Sequence, residues 1–136
     1  MKDYVLDANA LMRYFRDQDG AVKVQDLLIQ ADKTNVLLRI SVVNLAEVFY
    51  VYSRYTTTEN ARNAIQRIKS LVEFVSPDAE QALAAAEIRY RYKLGLADCF
   101  AAELAMRTGA TLVTADPEFA KLGKQLKVLA LPRHSA

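Results

Sequence analysis

The sequence predicts an α/β fold in which a mostly parallel sheet is covered by helices on both faces. Three observations carry this. Five short apolar runs of strand character recur along 136 residues. Segments of helical composition and spacing separate them. The runs themselves are nearly continuous in apolar residues rather than alternating, as in strands buried on both faces.

The first strand is Tyr4-Val5-Leu6, and Ala8 to Arg16 has helical composition. Asp17-Gln18-Asp19-Gly20 breaks that helix. Ala21 to Ala31 then sets Val24, Leu27, Leu28 and Ala31 at helical spacing. After a turn over Asp32 to Asn35, Val36 to Ile40 forms the second strand. Ser41 is placed to cap a helix running to about Tyr55. Thr56 and Glu59, three residues apart, fit a capping box opening a helix that turns Ala61, Ala64, Ile65, Ile68 and Leu71 inward. Val72 to Val75 is the third strand. Ser76 as cap with Pro77 at the first helical position opens a helix to about Tyr92, and Gly95 lies just beyond it. Ala97 to Thr108 is the next helix, closed by Gly109. Thr111 to Thr114 is the fourth strand, Asp116-Pro117 opens a short helix, and Lys127 to Leu131 is the fifth strand.

The length suits one compact domain spanning 1–136, able to bury roughly two-thirds of its unfolded surface. With 18 Lys+Arg against 16 Asp+Glu, the formal net charge is +2, which argues against a simple polybasic nucleic-acid binder and against a disordered acidic tail. The single cysteine, Cys99, excludes an internal disulfide and a multi-cysteine zinc site; it reads as a buried structural thiol. His134, the only histidine, reads as a solvated tail residue, which argues against histidine-based general-base catalysis. Asp3, Asp7 and Arg13 interrupt any secretory core near the start, and no run approaches the ~18 apolar residues of a membrane span. A cytosolic protein is expected.

Four isolated carboxylates carry the functional signal. Asp7 is the only charge from Tyr4 to Met12, Glu47 from Ile40 to Ser53, Asp98 from Leu94 to Ala102, and Asp116 from Thr108 to Pro117. A carboxylate in apolar surroundings is costly unless it is paired, hydrogen-bonded or metal-bound. Asp7 and Asp116 follow buried strands, Asp98 starts a helix, and Glu47 lies in the second turn of a helix that follows a strand. In a parallel sheet these positions tend toward the same edge, where ligands bind. Converging carboxylates repel, and hard divalent cations relieve the repulsion; Mg²⁺ and Mn²⁺ prefer such oxygen ligands. An all-oxygen acidic site of this kind suits phosphodiester hydrolysis.

Each acid also has a local explanation. Asp116 before Pro117 is a good helix cap. Asp98 in a first helical turn complements the macrodipole. Glu47 has Arg39 and Arg54 as possible partners. Asp7 is hardest to account for in this way, and Asn9 two residues on adds a polar group. The bases are ambiguous too. Arg13 and Arg16 follow Asp7 on its helix and either steer a phosphate or simply solvate the surface. Arg89-Tyr90-Arg91-Tyr92-Lys93 interleaves cations and aromatics, as a nucleic-acid patch does. Cations also favour a helix C-terminus, and tyrosines cover a core edge. Phe49, Tyr50, Tyr52 and Tyr55 cover too much of one helix for a single core stripe, so part of that surface suits a protein contact.

Taken in order, Tyr4-Val5-Leu6-Asp7-Ala8-Asn9, Ser41 to Glu47, Gly95 to Ala102 and Leu112 to Phe119 reproduce a family pattern. The chain resembles the PIN domain, specifically the VapC-type toxins of bacterial and archaeal toxin–antitoxin pairs. The resemblance spans essentially the whole chain, with no departure at the four acids, at Asn9 or at Thr114. It implies a three-layer α/β/α sandwich and a Mg²⁺- or Mn²⁺-dependent endoribonuclease with one or two ions per site. It also implies a cognate antitoxin that blocks the site, and commonly a homodimer. On this reading Asp7, Glu47, Asp98 and Asp116 hold the metal, Asn9 and Thr114 support them directly or through water, and Arg13, Arg16, Arg89, Arg91 and Lys93 are candidate RNA contacts. DNA would be met only through the antitoxin. Two other readings remain open: a non-catalytic module binding RNA or protein, and a phosphotransferase with Asp7 as nucleophile and Lys93 near the phosphate.

Overall fold

The computed structural model describes residues 1–132; His134 lies outside them. The chain runs β1 (Lys2–Leu6), α1 (Ala8–Phe15), α2 (Ala21–Asp32), β2 (Val36–Ser41), α3 (Val42–Tyr55), α4 (Thr58–Ile68), β3 (Val72–Val75), α5 (Ala79–Tyr92), α6 (Leu96–Thr108), β4 (Thr111–Thr114), a 3-10 segment (Pro117–Gln125) and β5 (Lys127–Ala130). The strands form one all-parallel sheet in the order β3-β2-β1-β4-β5.

Alternation along the central strands divides the interior into two cores, one per face. Leu6 and Val113 pack with Leu11, Val24, Leu28, Val48 and Ile68 of α1 to α4. Their neighbours Val5 and Leu112 pack with Ile88, Leu104, Phe119 and Leu122 on the other side. The result is the expected three-layer α/β/α sandwich. Among the described residues no helix is long and apolar enough to cross a membrane.

The strand order creates the functional geography. The chain leaves β1 for β2 and β3 on one side, then returns across the sheet to β4 and β5 on the other. Connections therefore diverge between β1 and β4, and a crevice opens at their carboxyl ends. The backbone keeps this end tight: Asp7 N–H donates to Val113 O (3.3 Å) and Leu131 N–H to Thr114 O (2.7 Å).

Several helix ends differ from the expected ones, each for a local reason. Thr57, not Thr56, caps α4, its Oγ1 accepting from Asn60 N–H (3.0 Å). Thr56 closes the preceding helix instead, donating back to Tyr52 O (2.9 Å). The α4 face turns in Ala61, Ala64 and Ile68, while Ile65 and Leu71 are only half-buried. At α5 the cap is Asp78 rather than Ser76. Its carboxylate accepts from Gln81 N–H (2.8 Å) and its N–H donates to Gln81 Oε1 (3.0 Å), a reciprocal box that leaves Pro77 outside the helix. Lys93, at φ 59°, supplies the left-handed residue that ends α5. This releases Gly95 to begin α6, whose end is closed by Gly109 as expected.

If Asp78 is the cap, Asp78→Ala costs about 1 kcal/mol of unfolding free energy. Ser76→Ala, at an exposed position, changes it by less than about 0.5 kcal/mol. Urea titration followed by far-UV circular dichroism separates the two, and a reversed order contradicts the assignment.

Candidate metal centre

Asp7 follows β1 directly and caps α1, its Oδ1 accepting from Ala10 N–H (2.7 Å). Asp116 follows β4 by two residues and caps the 3-10 segment, its Oδ1 accepting from Glu118 N–H (2.9 Å). The local expectation for Asp116 thus holds, and Asp7 has the same arrangement. In both, the capping bond engages Oδ1. Thr114, at the end of β4 and buried, joins the pair. Its hydroxyl donates to the Asp7 carboxylate and accepts from Asp116 N–H (3.0 Å).

Asp98 enters from the first turn of α6. A Cβ at Gly95 would stand 3.3 Å from Asp98 Oδ2, so glycine at this helix start leaves the carboxylate room. Glu47 comes from the second turn of α3 and is exposed. It pairs with neither suggested arginine. Arg39 bridges Asp3 and Glu73 across the sheet, and Arg54 lies over Tyr50.

All four acids line one cleft of about 420 Å³, together with Ala8, Asn9, Arg13, Ala115 and Pro117. Their mutual influence shows in their acidity. Asp7, 2% exposed, has its pKa raised to about 7. Burial is the main cause, opposed by the Thr114 and Ala10 hydrogen bonds and reinforced by the charges of Asp98 and Asp116. Asp98 is raised to about 6, by burial first and then by Asp116, Glu47 and Glu118. Glu118 therefore adds negative potential that the sequence pattern did not single out. The only signal was its place two residues beyond Asp116, and it also pairs with Lys121 (3.4 Å).

Among the described residues no three Asp, Glu, His or Cys side chains are grouped closely enough to hold a metal ion as they stand. The donor set still fits a hard divalent cation: four carboxylates on one cleft, two with raised pKa values, and carboxylate oxygens left over from capping.

Of the candidate RNA contacts, only Arg13 lines this cleft. Its Nη1 donates to Asp19 O (3.0 Å) and Pro132 O, tying the chain beyond β5 to the α1–α2 turn. Arg16 stacks on Tyr55, 3.5 Å from the ring centroid. Arg89 donates to Leu94 O (2.6 Å), Arg91 pairs with Glu87 (3.5 Å), and Lys93 ends α5. Arg89 and Arg91 thus have local partners, as expected of cations near a helix C-terminus. The cleft lining includes no lysine. Lys93, the lysine suggested for an Asp7 phosphotransferase, is not among the lining residues. Cys99 is buried, and burial, followed by the charge of Asp98, raises its thiol pKa, as suits a structural role.

The fold and this cleft define a class: a parallel α/β domain with an acidic crevice at the switch point of its sheet. The PIN domain family model matches residues 4–125, and the chain belongs to that family. No curated protein matches it by sequence. Among solved structures it is similar to VapBC2 from Rickettsia felis bound to a promoter DNA fragment, with TM-score 0.74, 23% identity, and 95% of this chain and 98% of that one covered. DNA-bound VapBC from Salmonella typhimurium gives TM-score 0.73 at 18% identity, covering 96% and 98%. Mycobacterium tuberculosis VapC20, described as a sarcin–ricin loop cleaving toxin, gives 0.69 at 15% identity, covering 88% and 95%.

A pH prediction follows from the raised acids. Their folded pKa values exceed the unfolded one, so the metal-free folded state binds more protons and loses stability as pH rises through about 7 and 6. In chelator, lowering the pH from about 7.5 to 5.5 therefore raises unfolding free energy, Asp7 alone contributing about 2 kcal/mol. Asp7→Asn keeps a capping oxygen and removes most of that pH dependence. Denaturant titrations at the two pH values check this, and an unchanged pH dependence in the variant contradicts it.

Proposed function

We propose that the chain is a metal-dependent endoribonuclease that hydrolyses RNA phosphodiester bonds, acting as the toxin of a toxin–antitoxin pair. The observation that carries this reading is the meeting of Asp7, Glu47, Asp98 and Asp116 in one cleft of a PIN domain. Asp7, Glu47, Asp98 and Asp116 would hold one or two Mg²⁺ or Mn²⁺ ions. Such an ion supplies Lewis-acid polarisation of the phosphodiester and a more acidic bound water.

The chain's own groups prepare that chemistry. Asp7 and Asp98, both raised in pKa, would have to be deprotonated to hold a cation, which would couple metal binding to pH. Thr114 holds Asp7 and Asp116 in fixed relation through its one hydroxyl. Asn9, exposed at the cleft, is placed to meet solvent or substrate. Arg13 brings positive charge beside the acids while its backbone partners hold it in place. Without the four acids, the chain has 18 bases against 12 remaining acids, a formal +6 that favours a phosphate backbone once cations offset the cleft.

An antitoxin partner belongs to the same reading. A groove of about 510 Å³ between α3 and α4 is lined by apolar Val42, Leu45, Ala46, Phe49 and Ile65 and by polar Arg62, Asn63 and Gln66. Ala46 adjoins Glu47, so an amphipathic segment lying there would extend toward the acidic cleft and block it. Pairing with a second copy and action in the cytoplasm complete the proposal.

The test is RNA cleavage in Mn²⁺ by the wild type and by Asp7→Asn and Asp98→Asn. Each substitution should lower the rate by at least about a hundredfold while leaving the fold intact. Binding of RNA to the inactive variants should weaken as salt rises. Intact RNA from the wild type across varied substrates would support the non-catalytic module instead.

A further inference from the structure

Asn44 is the buried polar side chain within α3, fully excluded from solvent. Its Nδ2 donates to Ala97 O at 2.9 Å, linking residues 53 apart in sequence. Asn44 lies three residues before Glu47, one helical turn away on the same side of α3. Ala97 is the residue before Asp98. One hydrogen bond therefore joins the turn that leads to Glu47 with the turn that carries Asp98.

The two helices need such a tie. Glu47 and Asp98 line the same cleft with like charge. The start of α6 also has no side-chain cap of its own. A neutral amide connects these turns without adding charge to the cleft. Its orientation is fixed, because the reversed amide would set oxygen against the Ala97 oxygen.

The tie leaves one polar atom unsatisfied. Asn44 Oδ1 is buried with no hydrogen-bond partner. A leucine, equal in side-chain heavy atoms but larger, would remove that orphaned acceptor and the buried amide together, while the Ala97 carbonyl would lose this donor. The asparagine ties α3 to the first turn of α6 through one hydrogen bond while one of its own acceptors stays unpartnered.

We propose that Asn44 is a positioning residue that sets the first turn of α6 against α3 so that Glu47 and Asp98 engage the same divalent cation. This rests on the reading of the four acids as a metal site. The experiment compares wild type, Asn44→Leu and Asn44→Ala, the last unable to overpack. Mn²⁺ alone is titrated and its free fraction followed by electron paramagnetic resonance. Thermal midpoints are measured separately in chelator. Asn44→Leu should stay folded in chelator yet bind Mn²⁺ roughly tenfold more weakly. Asn44→Ala should show the same loss of affinity in its folded fraction. If both variants bind Mn²⁺ as tightly as wild type, whatever their midpoints, Asn44 is only structural and the proposal is overturned. If the wild type itself binds no Mn²⁺, the reading of the acids fails first and takes this one with it.

Discussion

The crowding of carboxylates at the carboxyl ends of β1 and β4 is the constraint on which the rest of the structure turns. Asp7 is almost fully buried and stands among three other acids lining the same cleft. Desolvation and like charge both oppose its ionisation, which is why its pKa is raised to about 7. No folded chain gathers such groups for stability. The surrounding elements hold them at a cost, and on the proposed reading a divalent cation would offset it.

The local structure makes the cost tolerable. Two of the acids double as helix caps, so orphan N–H groups of α1 and of the 3-10 segment partly replace lost water around the carboxylates. Asp98 lies in a first turn, where the helix dipole favours a negative charge. Thr114 satisfies Asp7 and the Asp116 backbone at once. Capping and cation binding are therefore not rival explanations for these residues. The strand-to-helix joints of a parallel sheet supply N–H groups at the edge where the chain divides, and acids placed there can serve both purposes.

Much of this was legible in the sequence. Asp7 and Asp116 stand out because each is the lone charge at the end of a buried strand, and strand order in a parallel sheet brings such ends together. The caps of α4 and α5 were misplaced by one or two residues. Thr56-Thr57 and Ser76-Pro77-Asp78 each offer competing caps, and only tertiary packing chooses among them. Arg89 and Arg91 stay ambiguous in sequence because a cation serving a helix end looks the same there as one awaiting phosphate. Asn44 gave no signal at all: a neutral amide in an apolar helix disturbs neither charge nor periodicity, and its partner lies 53 residues away.

The central claim is that Asp7, Glu47, Asp98 and Asp116 act as one cation site. Paramagnetic broadening by Mn²⁺, read at side-chain carboxyl carbons by nuclear magnetic resonance, tests it most directly. At substoichiometric Mn²⁺ near pH 7.5, the account predicts that these four carboxyl signals broaden together and ahead of the exposed acids Asp26, Glu59 and Glu80. Broadening that leaves Asp7 sharp, or that spreads evenly over the surface carboxylates, would contradict it.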